Sequence, residues 1–282
     1  MQIEVIIEKK SHKLNAEEGK TILETLQEHG IHVLTAPCGG RGRCGKCTVE
    51  VEHMGEVLAC MTKVTDGMRI TIPKVQLRAQ KSKIAENGTV THYPADDGEG
   101  LDAACDIGTT TVVCHLIDGK TGEKLATVSE PSAQRSFGAD VLSRIQAAEA
   151  GKLEILKEQI IFQIAQMLRT LQKKTGRGEQ IQRLAVVGNT VMCHLFAGIS
   201  PVSIGVTPFM PQEFFGKEYT GEQLGLTDCR SVYIAPAVAG FVGGDITSDL
   251  LAVMQKKPKD KVLLLDIGTN GEMAVGNEDQ IY

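Results

Sequence analysis

The stretch Ala36-Pro-Cys-Gly-Gly-Arg-Gly-Arg-Cys-Gly-Lys-Cys47, followed by Cys60, decides the fold of the first part of the chain. Three cysteines sit on one glycine-filled loop and a fourth follows a short hairpin, in the spacing C-x5-C-x2-C-x12-C: Cys38, Cys44, Cys47 and Cys60. A plant-type 2Fe–2S cluster needs this arrangement of thiolates. The glycines let the backbone curl around iron atoms and leave amide groups free to point at sulfur. The loop therefore predicts a 2Fe–2S site with these four cysteines as ligands.

Two other uses of four cysteines are less consistent with this loop. Structural zinc sites usually show two C-x2-C pairs, whereas here one such pair follows a wide glycine-filled gap. Two disulfide bonds would need an oxidising compartment, and the sequence shows no signal peptide. The remaining cysteines lie in apolar segments and are predicted to be small core residues: Cys105, Cys114, Cys193 and Cys229.

Composition narrows the class of protein. The 282 residues include 30 basic and 35 acidic side chains, and the net charge of -5 argues against nucleic acid as the main partner. The longest apolar region, residues 184–199, is broken by Asn189 and His194 and is too short to span a bilayer. We therefore expect a cytoplasmic protein with no membrane segment, long enough for two or three domains.

Residues 1–73 are predicted to form one small α+β domain of the β-grasp ferredoxin type. Thr21 followed by Glu24 is a capping box at the start of a helix over 21–29, which Gly30 ends. Around this helix and the cysteine loop, strands are predicted at 2–8, from Lys13, and at 48–52, 56–60 and 68–73. Residues 74–100 are polar, contain two glycine turns, and read as a linker that would tether a moving electron carrier or pack flat on the next domain.

Residues 101–260 are predicted to form an α/β domain, and 261–282 to begin a further, incomplete part of it. Strands are expected at 101–106, 111–117, 123–129, 182–187, 231–235 and 261–265. Helices are expected at 138–150, 152–174, 190–197 and 244–254. Strands that alternate with helices indicate an α/β architecture.

Two segments of this domain share one pattern, 160 residues apart. Asp106-Ile-Gly-Thr-Thr-Thr111 and Asp266-Ile-Gly-Thr-Asn-Gly271 each follow an apolar strand and begin a hairpin. The glycine permits a sharp turn in which amides and hydroxyls surround phosphate oxygens, and the aspartate can hold Mg²⁺ through water. Two facing loops of this kind predict a nucleotide and Mg²⁺ site with these cofactor-binding residues: Gly108, Thr109, Thr110, Thr111, Gly268, Thr269, Asn270 and Gly271.

Two more segments are candidates for the same site. Gly188 and Asn189, between a strand and a helix, offer backbone amides to a phosphate, although a plain helix cap explains them equally well. Asp245 follows a glycine-rich stretch and either caps a helix or orients an attacking water, and we favour the functional role. His194 lies within a helix and is predicted to be a core residue.

The paired loops resemble the phosphate motifs of the fold shared by actin, hexokinase, acetate kinase and heat-shock chaperones. A ferredoxin module joined to such a domain resembles the reductive activators of corrinoid proteins. The motifs that carry this resemblance are the four cysteines, the two Asp-Ile-Gly-Thr loops, Phe137-Gly-Ala-Asp-Val-Leu-Ser-Arg-Ile145, Val187-Gly-Asn-Thr190 and Gly240-Phe-Val-Gly243. They cover both domains, and the interval between Cys47 and Cys60 is shorter than in many members of the family.

The resemblance implies ATP-dependent reduction of a corrinoid from Co(II) to Co(I) by one electron. Asp106 and Asp266 would position Mg²⁺ and water, and four residues would hold phosphate oxygens: Thr109, Thr110, Thr269 and Asn270. The implied partners are a corrinoid protein of a methyltransferase system and a low-potential donor of the ferredoxin or flavodoxin type. Arg41 and Arg43 would steer an acidic redox partner or form a solvated basic loop.

Two expectations concern the chain as a whole. The family continues beyond the second phosphate loop, so we expect that a sequence ending at Tyr282 is a fragment; a homodimer is one expected state. The competing function is an electron-transfer module whose actin-like domain is degenerate and serves only to bind a nucleotide or a partner.

Overall fold

The computed structural model describes residues 1–31, 33–73, 93, 98–268 and 271–282. These residues pack as two compact units. The first contains the residues up to 73 together with 133–159, and the second contains those from 93 to 132 and from 160 onward. The linker predicted at 74–100 falls almost entirely outside the described residues, and the predicted domain bounds stay predictions. Within the described ranges, no helix has the length and apolar character needed to cross a membrane.

The first unit contains the β-grasp ferredoxin fold that the sequence predicts. Its strands are β1 (Gln2–Ile7), β2 (Lys10–Asn15), β3 (Thr48–Val51), β4 (Gly55–Leu58) and β5 (Arg69–Thr71). The five-stranded sheet has the order β2-β1-β5-β3-β4, in which β1 and β5 are parallel and all other neighbours are antiparallel.

Helix α1 (Ile22–Glu28) contributes the apolar face that packs in the core of this fold. Its capping box is confirmed: the Glu24 amide donates to the Thr21 hydroxyl at 3.2 Å, and the Thr21 amide donates to the Glu24 carboxylate at 2.8 Å. Ile22 and Leu26 are fully buried, each burial being worth about 1.5–3 kcal/mol. The same core includes Cys47 and Cys60, so the cysteine loop is anchored in it.

Residues 133–159 add a short helical region to the first unit. A 3-10 helix (Ala133–Phe137) leads to α2 (Val141–Ala147), a π turn (Ala148–Lys152) and the start of α3 (Leu153–Thr175). The predicted helix over 138–150 starts later because Gly138 has φ 151° and Asp140 is the N-cap, whose carboxylate accepts from the Ser143 amide at 2.8 Å. Gly151, with φ 81°, breaks the helical geometry before α3.

The second unit is built on a six-stranded mixed sheet with the order β10-β11-β9-β6-β7-β8. Strands β6, β7 and β8 form an antiparallel meander, and β9 and β11 run parallel to β6. The strand bounds are β6 (Leu101–Ile107), β7 (Thr111–Asp118), β8 (Lys124–Pro131), β9 (Ile181–Val187), β10 (Lys217–Thr220) and β11 (Cys229–Ile234). This is the α/β architecture expected for an actin-like half domain.

Among the described residues, the second unit also contains most of α3, a 3-10 helix (Val202–Gly205), three further helices and a hairpin. Helices α4 (Thr190–Ala197) and α6 (Gly244–Met254) have the bounds that the sequence predicts, whereas β10 and the single turn α5 (Gly221–Leu224) were not predicted. The hairpin consists of β12 (Val262–Ile267) and β13 (Gly271–Gly276). Because β6, β9 and β11 are parallel, their carboxyl ends meet at one edge of the sheet, where the loops after them lie together.

Cys105 and Cys114 are buried core residues, as predicted, but the prediction did not include the bond between them. They lie directly opposite each other in β6 and β7, and their sulfur atoms are bonded. Only the register of the two strands brings them together, so their spacing in sequence gave no signal. Cys193 and Cys229 are free and buried, as predicted.

Candidate functional sites

The four loop cysteines fall into two pairs. The Sγ atoms of Cys38 and Cys44 are 3.3 Å apart, and both residues are partly exposed. The side chains of Cys47 and Cys60, which are buried, interact with each other. The fold thus brings together sulfur atoms from the loop and from the end of the β3–β4 hairpin.

The loop backbone surrounds these sulfurs with donors. Its four glycines have φ between 63° and 81°, a left-handed conformation that other residues rarely adopt: Gly39, Gly40, Gly42 and Gly45. Backbone groups of Arg41, Arg43 and Cys44 then hydrogen-bond to Cys38. Burial acts to raise the pKa of the Cys38 thiol, but these donors outweigh it and lower the pKa to about 6. The loop thus favours the thiolate, the form that binds a metal.

In the pair formed by Cys47 and Cys60, the environment raises a thiol pKa instead of lowering it. Burial, followed by the neighbouring Cys47, raises the pKa of Cys60 to about 12. Two thiolates side by side in a buried place repel each other, and a cation between them would remove that cost.

This pairing tests which metal group the loop fits. Among the residues that the structure describes, no three His, Cys, Asp or Glu side chains are placed to hold one common ion. A structural zinc needs four ligands around one point, whereas each iron of a 2Fe–2S cluster needs only two protein thiolates. The two-plus-two arrangement therefore fits a 2Fe–2S cluster better than a mononuclear zinc.

The second candidate site lies at the sheet edge formed by the ends of β6, β9 and β11. Asn189 connects two of its loops, because its Nδ2 donates to the Thr109 hydroxyl at 3.0 Å while its Oδ1 accepts from the Met192 amide at 3.0 Å. Asn189 is therefore both the N-cap of α4 and a link to the first predicted phosphate loop. The role of Asn189 as a helix cap is therefore compatible with its predicted role at a phosphate site.

Glycines allow the loops at this edge to touch through their backbones. A Cβ on Gly188 would lie 2.7 Å from Cγ1 of Ile107, at the end of β6. A Cβ on Gly243 would lie 2.5 Å from the Asn189 Cα and 2.6 Å from the Gly188 carbonyl oxygen. The Asp245 amide also donates to the Gly188 carbonyl at 3.3 Å. These contacts hold the start of α6 against the loop that carries Asn189.

Several carboxylates meet at the same edge. Asp106 keeps contact with solvent, yet the protein packed around the strand end desolvates it. Burial, followed by the charges of Asp245, Asp266 and Asp249, raises the pKa of Asp106 to about 7. Burial also raises the pKa of Asp245, Asp249 and Glu272. These carboxylates repel one another, and a divalent cation bound through water would reduce that repulsion.

The structure thus brings together the predicted Asp106, Asp245 and Asp266. Gly108 makes the predicted tight turn, since a Cβ there would lie 2.6 Å from the Thr111 carbonyl oxygen. Thr269 and Asn270 lie outside the described residues, between Gly268 and Gly271, so their roles stay predictions, as do those of Thr110 and Thr111.

Two acidic residues of this cluster were not among the predicted site residues. Asp249 lies four residues after Asp245 in α6, one helical turn further on the same face, which is a signal that the sequence contained. Glu272 directly follows the second phosphate loop.

His194 is a core residue, as predicted. Its Nδ1 lies 2.7 Å from the Thr190 carbonyl oxygen, and its Nε2 accepts from the Glu213 amide at 3.3 Å. Burial lowers its pKa. The ring therefore takes part in packing rather than in the acidic cluster.

A ferredoxin-type iron–sulfur fold joined to an α/β domain defines the class of this protein. Residues 4–74 match the 2Fe-2S iron-sulfur cluster binding domain, and residues 101–257 match the family described as RACo middle region. The chain belongs to the RACo middle-region family, because that match covers more than half of it.

The relatives found by comparison carry related names. The chain is 29% identical to the corrinoid activation enzyme RamQ of Eubacterium limosum, over 88% of the chain and 55% of that protein. It is 28% identical to the Co(II) methylated amine-specific corrinoid protein reductase of Methanosarcina barkeri, over 63% of the chain and 34% of the relative. A solved reductive activator for corrinoid, iron-sulfur protein matches 99% of the chain and 62% of its own length, with 25% identity and a TM-score of 0.62. The chain thus spans about half the length of the first of these curated relatives, and about a third of the second.

Proposed function

We propose that the chain takes part in the ATP-dependent reductive activation of a corrinoid protein, in which one electron converts Co(II) to Co(I). The observation that carries the proposal is the two-plus-two pairing of the cysteine sulfurs. The names of the relatives support the substrate class, and the acidic sheet edge of the second unit supports the proposal of a nucleotide and Mg²⁺ site there.

In this proposal Cys38, Cys44, Cys47 and Cys60 bind the 2Fe–2S cluster. When bound, such a cluster supplies one-electron chemistry at a potential near -400 mV. The chain itself stabilises the Cys38 thiolate with backbone donors and anchors Cys47 and Cys60 in the hydrophobic core. The fixed sulfur positions and the partly exposed Cys38 and Cys44 leave one pair accessible to a redox partner.

The second unit would use the energy of ATP. The corrinoid in its resting state is expected to have a potential below that of the cluster, and each ~59 mV of mismatch costs a factor of ten in the equilibrium constant. Asp106, Asp245 and Asp266 would hold Mg²⁺ through water, and Asn189, which donates to the Thr109 hydroxyl, would orient that hydroxyl toward a phosphate. Nucleotide binding would then favour a complex in which cobalt is more easily reduced.

The proposed function also implies a substrate protein and an electron donor. The substrate would be the corrinoid protein of a methyltransferase system, and the electron would come from a low-potential donor of the ferredoxin or flavodoxin type. We expect the protein to act in the cytoplasm and to form a homodimer.

The test combines the full-length protein with reductant, a Co(II) corrinoid protein and ATP, and follows the cobalt absorbance. We expect reduction that depends on ATP and is lost in Asp106→Asn, while Asp260→Asn, an exposed acidic residue away from the loops, behaves like the wild type. Equal reduction with and without ATP would overturn the ATP-dependent mechanism. Nucleotide binding without hydrolysis would instead support an electron-transfer module with a degenerate actin-like domain.

A further inference from the structure

The motif Phe137–Ile145 has no place in the proposed chemistry, yet it lies against the cysteine loop. We call the region Ala133–Lys152 the docking segment. The Gln27 side-chain amide, at the end of α1, donates to the Ser136 carbonyl at 2.9 Å, and this bond is buried. The Ala139 amide donates to the Pro37 carbonyl at 3.3 Å, immediately before Cys38. The docking segment therefore contacts both the helix and the loop that precede the first cysteine.

Two further contacts involve the cysteine loop itself. The Arg41 guanidinium donates to the side-chain oxygen of Gln146. A Cβ on Gly39 would lie 3.4 Å from the Phe137 carbonyl oxygen and 3.9 Å from the Ser143 Cβ, so the loop backbone approaches the docking segment closely. Phe137 is only 4% exposed. The contact thus reaches from Pro37 to Arg41, across the first turn of the loop.

The docking segment is internally braced. Arg144 is fully buried, and its guanidinium donates to the Gln134 side-chain oxygen at 3.3 Å and to the Gly138 carbonyl at 3.4 Å. Asp140 caps α2 through the Ser143 amide and hydroxyl. These bonds join the 3-10 helix, the turn and α2, so the surface presented to the loop is rigid.

The contact between loop and docking segment is polar and incompletely filled. A cavity of about 280 Å³ lies between them, with Glu24, Arg41 and Lys152 among its charged lining residues and Cys60 at its wall. Contacts that are polar and contain space for water resemble transient interfaces rather than a sealed core. Part of this contact is therefore lined by charged and polar groups rather than closed by apolar packing.

We propose that the docking segment is a reversible seat for the cysteine loop, which holds the iron–sulfur site in one position and covers the flank formed by Gly39 and Gly40. Gln27, Arg41 and Gln146 are positioning residues in this view. Release of the loop would open that flank to a redox partner, and the helical break at Gly151 lies within the docking segment. The seat rests on the proposed function only in that the loop is taken to carry the cluster.

Hydrogen exchange of the full chain tests the seat, with the Ala139 amide as the reporter. Exchange of a protected amide measures the population of the open state. Arg41→Ala and Gln146→Ala each remove the same contact, so we expect each to speed exchange about tenfold, as loss of one hydrogen bond would. The double variant should be no faster than either single variant. Arg43→Ala, on the same loop but without a seat contact among the described bonds, is the matched control and should exchange like the wild type.

A second measurement reports position. A nitroxide on Glu149→Cys, an exposed site on the docking segment, is relaxed by the reduced cluster only while the loop is seated. We expect a smaller relaxation enhancement in the Arg41→Ala and Gln146→Ala variants than in the wild type, in proportion to the larger open population that hydrogen exchange measures. Unchanged exchange and unchanged relaxation, or an equal effect of Arg43→Ala, would overturn the seat.

The visible absorbance of each variant separates the two proposals. A chain that binds no cluster contradicts the proposed function, but the exchange experiment still tests the seat in that chain. A chain with full cluster absorbance and no exchange effect contradicts the seat alone.

Discussion

The contact between the start of α6 and the loop before α4 leads to a sharp prediction for Gly243→Ala. The added Cβ would lie 2.5 Å from the Asn189 Cα and the Thr190 amide nitrogen, and 2.6 Å from the Gly188 carbonyl oxygen. All three are backbone atoms, so no side chain can rotate away. Gly243 has φ -101°, which alanine adopts without strain, so the cost is purely steric.

The size of the effect follows from the crowding. Forcing extra methyl groups into packed regions costs about 1–3 kcal/mol, and contact with backbone on several sides favours the upper part of that range. For a unit of this size each kcal/mol lowers the melting temperature by roughly 2–4 °C. Because the clash pushes α6 away from Asn189, the variant should also bind ATP with Mg²⁺ more weakly.

Calorimetry and titration with a fluorescent ATP analogue measure the two effects. The matched control is Gly178→Ala, where a Cβ meets nothing within 4 Å and φ is not positive, so we expect stability equal to or slightly above that of the wild type. A Gly243→Ala protein that melts at the wild-type temperature would refute the backbone contact and, with it, the construction of the edge site. Normal stability with weakened binding would contradict the steric reasoning.

The remaining predictions address single contacts. Cys60→Ser should lose the visible absorbance of the reconstituted protein, whereas Cys229→Ala, a buried cysteine elsewhere, should keep it. Asn189→Ala should lose about 1 kcal/mol of stability and weaken nucleotide binding. Asn189→Asp should keep the cap and a bond to Thr109, now donated by the hydroxyl, but it adds a negative charge at the predicted phosphate site and so should weaken binding alone. Glu24→Gln should reduce the loss of stability in acid. Donors from Thr21 outweigh burial and lower the Glu24 pKa, so its contribution is present above the usual value of 4.5 and is lost as pH falls below it.

Opposite results would count against each of these. An iron–sulfur spectrum in the Cys60 variant would remove that residue from the ligand set. Equal nucleotide affinity in both Asn189 variants and the wild type would show that the link to the first phosphate loop has no part in binding. Parallel urea titrations at pH 7 and pH 4 that give the same difference for both proteins would contradict the assigned role of the Glu24 charge.

Elements whose signals are local in sequence were predictable. The capping box at Thr21 lies within four residues, and the helices Thr190–Ala197 and Gly244–Met254 start after Asn189 and a glycine-rich stretch. The Asp-Ile-Gly-Thr repeat identified Asp106 and Asp266 because identical residues follow similar strands. In these places the residues that determine the conformation are also neighbours along the chain.

Features that depend on pairing over long distances were not predictable. Strand β10 is the polar run Lys217–Thr220, which has no apolar alternation and is ordered by its pairing with β11. The bond between Cys105 and Cys114 depends on strand register. The burial of Arg144 depends on the 3-10 helix before it, and an arginine is rarely buried without such partners.

The backbone contacts at the carboxyl edge of the second sheet also constrain how this half domain can move. With Gly188 pressed on Ile107, Gly243 on Asn189, and the Asp245 amide tied to Gly188, a pull on any one of these loops is transmitted to the others. We therefore expect the three loops to move together as one rigid group rather than independently. A conformational change caused by a bound ligand would then move all three loops at once. A substitution that weakens one of these contacts should reduce the ligand-induced movement of all three loops.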